Sequence, residues 1–205
     1  PPRSTLFPYT TLFRSIAPHE IYSILLAVPE RISRSELADI VQPDTFQRLE
    51  TVFSSHLEPA GGYEARRVAL FGIAEIMRAQ AIPALLAQGD TVEVGRLMNV
   101  SHDGDRVSRF DGKTRIPVDN SCGDSVLISL RDRMAAGDPL ADIQYQSGSY
   151  GCSTPLIDEM VDTALGIPGV LGAQLSGAGL GGCIMVLVRE DAADSFHRAI
   201  TDLFY

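Results

Sequence analysis

Lysine is nearly missing from this chain. Lys113 is the single lysine among 17 basic residues, and 26 aspartates and glutamates leave a formal net charge of −9 over 205 residues. Non-specific affinity for nucleic acid comes from clustered lysine and arginine that neutralise phosphates, so this balance excludes nucleic acid as an expected partner. The scarcity also decides a nucleotide motif. Gly112-Lys113-Thr114 has the end of a P-loop, but Val107 stands where that loop needs its first glycine. Cysteine is sparse and odd in number: Cys122, Cys152 and Cys183 include no C-x-x-C pair, which excludes a zinc knuckle and a closed disulfide framework and suits a reducing cytoplasm. No clean run of about 18 apolar residues is present to span a bilayer. The longest, Cys183 to Val188, is strand-sized, so the expectation is a soluble cytoplasmic protein with no membrane partner.

What is present is an ordinary globular composition, 45% hydrophobic and 21% charged, sufficient for one domain with a full core. Residues 1–15 stand apart. Thr5 to Ser15 read TLFPYTTLFRS, which resembles a common short-read sequencing adapter translated in one frame, so 1–15 are expected to be a non-native tail that packs against nothing. Beyond it, Ser33-Arg34-Ser35-Glu36 has capping-box spacing and predicts a short helix through about Val41. Pro43-Asp44 then recaps a second helix over 45–54. The longest helical pattern covers 63–88, with Glu64, Arg67, Glu75 and Arg78 on one polar side and an apolar remainder that should pack deeply. Pro83 predicts a kink or a restart in it. Gly89-Asp90 ends this helix and caps the next, which should reach about His102.

Residues 103–150, rich in Asp, Gly and Ser, show one plausible helix from Asp124 to Met134. Asp103-Gly104-Asp105 resembles the start of a calcium loop but lacks the later ligands and the terminal Glu of an EF-hand, so a solvated turn is the better reading. Ser153-Thr154-Pro155 opens a helix with a hydroxyl cap and Pro at its first position, running to about Leu165. Strands follow at 170–176 and 183–188, separated by a glycine loop, and an amphipathic helix at 191–203 ends the pattern. His56, His102 and His197 are scattered, with His102 placed to suit the negative end of a helix dipole. Cys152 and Cys183 read as buried or structural thiols.

Gly177, Gly179 and Gly182 satisfy G-x-G-x-x-G, yet a dinucleotide fingerprint must open a helix whose amino terminus holds the pyrophosphate. Here the glycines lead into Cys-Ile-Met-Val-Leu-Val, so the context is strand, glycines, strand. The run from Gly169 to Val188 resembles instead the third signature motif of the galactokinase branch of the GHMP kinase superfamily. Two further landmarks lie in family order: Arg66-Arg67 opening a long helix before Gly95-Arg-Leu-Met-Asn-Val-Ser-His102, and Cys152-Ser-Thr-Pro-Leu-Ile-Asp158.

The resemblance implies an α+β fold, a helical segment followed by a ferredoxin-like carboxy-terminal domain. It implies that 16–205 are the carboxy-terminal half of such a kinase, with an insert near 103–150 and without the last strand the family carries. It implies phosphoryl transfer from ATP, with Mg2+, to a monosaccharide hydroxyl. Ser176, Gly177, Ala178, Gly179, Leu180, Gly181 and Gly182 would form one wall of that cleft, against the loop that holds the ATP phosphates. Catalytic acid, base and phosphate loop belong to the family's amino-terminal half, and no residue here is assigned to them. The alternatives are a sugar- and ATP-binding regulator on the same scaffold and a stand-alone ferredoxin-like binding module.

Overall fold

The computed structural model describes residues 16–177 and 182–204; the expected tail, 1–15, and loop residues 178–181 lie outside the described residues. Helices α1 (Pro18–Ala27), α2 (Arg34–Ile40), α3 (Pro43–Phe53), α4 (Ala65–Gln88) and α5 (Thr91–Asp105) come first, followed by a short hairpin of β1 (Ser108–Phe110) and β2 (Arg115–Pro117). Then come α6 (Asp124–Ala135), two 3-10 turns at Pro139–Ala141 and Ile143–Tyr145, α7 (Pro155–Leu165), β3 (Val170–Ser176), β4 (Cys183–Val188) and α8 (Ala193–Phe204). Mixed helices with small antiparallel sheets make the class α+β, as the sequence predicts.

The caps act where the pattern places them. Ser33 Oγ accepts from the Glu36 N–H at 3.2 Å while Glu36 accepts from the Ser33 N–H at 2.8 Å, satisfying two orphan donors at the start of α2. Thr154 does the same for the Ile157 N–H of α7 at 3.3 Å. Helix α3 begins two residues before the predicted start because Pro43 itself takes the first helical position. At its far end α4 runs through Pro83 without a break and stops at Gly89, whose φ of 73° is left-handed. Asp103-Gly104-Asp105 is the last turn of α5 rather than a solvated turn.

Two apolar clusters form. The larger joins Ile21, Tyr22 and Leu25 of α1, Leu70 and Ala74 of α4, Leu127 and Leu130 of α6, and Ala141 and Ile143 of the turns. Each such large side chain contributes about 1.5–3 kcal/mol through removal from water. The Tyr22 hydroxyl donates to the Ala141 carbonyl at 2.5 Å, so its polar end is satisfied inside this core. Much of this core therefore comes from residues between 122 and 143, inside the segment read as an insert. The smaller cluster packs Val161 and Ala164 of α7 on Ala173 of β3, with Ile184, Val186, Phe196 and Ile200 against them.

Helix α4 departs from its predicted packing. Its buried residues are Arg66, Leu70, Ala74 and Arg78, a single i, i+4 stripe, while Val68 and Leu86 stay exposed. A window of 18 residues in it has a mean hydropathy of 1.4 and passes for a membrane span by length and composition, which corrects the expectation that no such segment exists. Its centre is nonetheless tied into protein: Arg78 donates to the Gln144 and Gln146 carbonyls at 2.9 and 3.0 Å.

Candidate glycine-loop site

Strands β3 and β4 pair antiparallel at the predicted bounds, from Val170 opposite Val188 to Ser176 opposite Cys183, with an irregularity between Val170 and Gly172. Antiparallel neighbours can be joined by a short connection, and Gly177 to Gly182 is that connection. No helix opens after these glycines, so the dinucleotide reading fails on structure as it does on sequence. Gly177 has φ 94° and Gly182 φ 133°, where a Cβ is strained, and no described atom lies within 4 Å of a side chain built on Gly177. Ser176 closes the strand pair. Of the seven predicted site residues, Ser176, Gly177 and Gly182 are thus brought together at the end of the β3–β4 pair, and Ala178, Gly179, Leu180 and Gly181 lie outside the described residues.

Among the described residues the opposite edge of β3 meets no strand; it lies on α5. Gly95 and Gly172 let the two backbones touch: a Cβ on Gly95 would stand 2.3 Å from the Leu171 oxygen, and one on Gly172 2.4 Å from the Gly95 oxygen. One turn along the helix, Asn99 Oδ1 accepts from the Ala173 N–H at 2.9 Å, and His102 Nδ1 accepts from the Leu175 N–H at 3.2 Å. His102 is fully buried, which corrects its reading as a helix-end charge. Because Nδ1 accepts, the ring proton sits on Nε2, which stands 3.3 Å from Asp158 Oδ1. The two atoms approach without hydrogen-bond geometry, and among the described residues neither makes a hydrogen bond to any other group. Sequence spacing hid this, since His102, Asp158 and Leu175 are far apart in the chain.

Asp158 is itself fixed from the far side. Its Oδ2 accepts from the N–H groups of Val107 and Ser108 at 3.0 and 2.8 Å and from Ser108 Oγ at 3.2 Å. Burial pushes its carboxyl up, but bonds from His102, Ser153, Ser108 and Val107 together outweigh burial and hold it below the usual carboxylate range. A carboxyl lowered in the fold contributes stability above its unfolded pKa of about 4, and that contribution is lost as pH falls through the folded value. Asp158→Asn is therefore expected to be less stable at pH 7 by about 2–3 kcal/mol, because converging donors lose their charged acceptor. The same variant should lose less further stability on acidification than the wild type does. Urea denaturation of both proteins at pH 7 and at pH about 3.5 measures this; equal acid losses would sink the assignment.

One turn on, Asp162 accepts from Arg106 Nη1 at 2.9 Å and from the Phe110 N–H at 2.7 Å, so two carboxylates of α7 latch the chain leaving α5. Cys152 donates to Asp105 at 3.2 Å. Burial and that carboxyl push its thiol up to about 12, which keeps it an inert thiol at neutral pH. Burial raises Asp105 in turn. Cys183, read as buried or structural, is exposed. A groove of about 620 Å3 on the far side of α7 is lined by Phe110, Glu159, Asp162 and Phe204. Glu159 is paired with Arg115 and Asp162 with Arg106, and Asp111, also in its lining, accepts from the Lys113 and Thr114 N–H groups of its own turn, so each acid already has a partner within the fold. Among the described residues no three His, Cys, Asp or Glu side chains group to hold a metal ion.

Residues 126–205 match the family described as GHMP kinases C terminal. Galactokinase of Homo sapiens is 30% identical over 139 residues, 68% of this chain and 25% of that protein. Galactokinase of Bos taurus is 29% identical over 142 residues, 69% of this chain and 26% of that protein. Galactokinase of Bacillus subtilis is 23% identical over 185 residues, 90% of this chain and 35% of that protein. The chain thus spans about a quarter of the length of the first two relatives and about a third of the last. With the strand pair, its glycine connection and the helix beneath it in the order that the motifs predict, these matches agree with the resemblance to the carboxy-terminal part of the galactokinase branch of the GHMP kinases.

Proposed function

We propose that this chain supplies one wall of a cytoplasmic ATP-dependent sugar kinase, in which the γ-phosphoryl of ATP passes to a monosaccharide hydroxyl. The observation that carries the reading is the β3–β4 pair, which ends on Gly177 and Gly182 at positive φ, with no described atom within 4 Å of a side chain built on Gly177. Backbone free of side chains can approach a neighbouring phosphate-binding loop closely and direct N–H groups at anionic oxygen. In such transfers a protein mainly positions the reactants and neutralises charge, and Mg2+ bound to the phosphates supplies part of that neutralisation. The described residues offer Mg2+ no carboxylate cluster, so this wall contributes backbone and shape.

The reading assigns base and phosphate loop to another part of the enzyme. Purified alone, residues 16–205 should give no sugar-dependent ADP release. A chimera in which they replace the matching part of bovine galactokinase should give it, and Gly179→Val in that chimera should remove most of it by forcing a side chain into the close approach. Turnover by the chain alone would overturn the split. A folded chimera that binds ATP and sugar without turnover would favour the regulator.

A further inference from the structure

We infer that Asn99 and His102 are positioning residues for the glycine connection: they take the place of a neighbouring strand along the open edge of β3, and Asp158 holds His102 in the tautomer this requires. The consequence for phosphoryl transfer rests on the function proposed above, whereas the geometry and its test do not.

In an antiparallel strand successive residues send their N–H groups to opposite edges. Ala173 and Leu175 face α5, so Gly172, Gln174 and Ser176 face β4, opposite Leu187, Met185 and Cys183. An edge normally left to another strand or to water is here served by two side chains three residues apart on one helix, which lie on one face a turn apart. The two spacings match because the backbones touch at Gly95 and Gly172, fixing helix and strand in register. The next N–H on this edge after Leu175 belongs to Gly177, the first residue of the connection. His102 therefore holds the last anchored amide on this edge before the chain enters the loop, and with the Ser176–Cys183 pair on the other edge it sets the direction in which the strand ends.

The role of Asp158 follows from the ring. A histidine with its proton on Nδ1 would meet the Leu175 N–H donor to donor; with its proton on Nε2 it accepts at Nδ1 and places that proton on the side of the ring where Asp158 Oδ1 stands 3.3 Å away. Since Asp158 also holds Val107 and Ser108, the link runs from the chain leaving α5, through α7, to the last turn of β3.

Two substitutions separate the two ring nitrogens. His102→Asn keeps an acceptor at the depth of Nδ1 and loses the group facing Asp158. His102→Gln reaches the depth of Nε2 and loses the acceptor for Leu175. Both give up ring volume in a buried site, so both should lose comparable stability and unfold at lower urea. In the isotope-labelled chain the wild type is expected to show His102 protonated at Nε2 alone and slow hydrogen exchange at Ala173 and Leu175. The Gln variant should exchange the Leu175 amide about tenfold faster, the worth of one net hydrogen bond, and shift the amide signals of Gly177 and Gly182. In the Asn variant these should stay near wild type. Equal displacement of the loop signals in both, or none in the Gln variant, would overturn the proposal. Should neither variant fold, Asn99→Asp and Asn99→Ala give the same contrast at Ala173, which the aspartate should keep protected and the alanine should not; equal acceleration counts against it, as does a wild-type His102 protonated at Nδ1. A kinase assay that fails while these contrasts hold would reject the proposed function and leave the positioning intact.

Discussion

Replacing Gly95 by alanine should destabilise this protein by about 3 kcal/mol, although alanine is the better helix former by about 1 kcal/mol. The two effects have opposite signs, and the site decides which is larger. A Cβ on Gly95 would stand 2.3 Å from the Leu171 oxygen and 2.5 Å from its carbonyl carbon, and a backbone carbonyl cannot rotate away as a side chain can. Lifting α5 off β3 to make room would stretch the Asn99 and His102 bonds to Ala173 and Leu175. Gly72, in the middle of α4, is the control: it is helical too, but nothing lies within 4 Å of a Cβ built there. Gly72→Ala should therefore stabilise by about 0.5–1 kcal/mol, since propensity acts alone. Urea midpoints of the two variants should move in opposite directions from the wild type. Movement of both toward higher urea would show that helix and strand are not in backbone contact.

These glycines also show where the sequence was legible. Strands β3 and β4 were read at their bounds because an apolar strand-sized run beginning at Cys183 is fenced by glycine, and α7 because Thr154 and Pro155 are local instructions. Signals that reach across the chain were not readable. Helix α1 has no N-cap side chain, only Pro18 at its first turn and Glu20 reaching back to accept from the Ala17 N–H at 2.9 Å, and its packing comes from Ile21, Tyr22 and Leu25, which find partners in α4 and α6. The β1–β2 hairpin is three residues a side; Asp111 closes it by accepting from the Lys113 and Thr114 N–H groups, and Asp158 and Asp162 anchor it. Of the candidate site, the glycines were legible and their support was not. Asn99 and His102 stood within a motif that matched the family, but the motif said nothing of which amides they would serve.

Arg78 is where the period of polar residues misled, and the largest loss follows from it. It was placed on the solvent side of α4 with Glu64, Arg67 and Glu75, yet only 2% of it is exposed. Its Nη1 donates to the Gln144 and Gln146 carbonyls, while Nε and Nη2 donate to Glu75 Oε1 at 2.9 and 2.5 Å. No local pattern can announce carbonyls that lie 66 and 68 residues away. Arg78→Ala removes the donors and leaves both carbonyls and a half-buried carboxylate without them, so a loss of about 3–5 kcal/mol is expected. Arg78→Lys keeps the charge but not the planar fork; one ammonium cannot serve Glu75 and both carbonyls in these directions, so it should recover less than half of the loss. Glu75→Ala alone should cost about 1 kcal/mol or less, because its side chain is 36% exposed and water can replace it. The damage from Arg78→Ala should not stay local. Past Gln146, the Ser149 N–H donates to the Arg67 carbonyl and the Tyr150 N–H to the Gly104 carbonyl at 2.7 Å, in the same turn of α5 as His102. Hydrogen exchange should therefore rise first over 144–150 and next at Leu175. Exchange that rises only at the first of these would separate the Arg78 clamp from the support of the glycine connection.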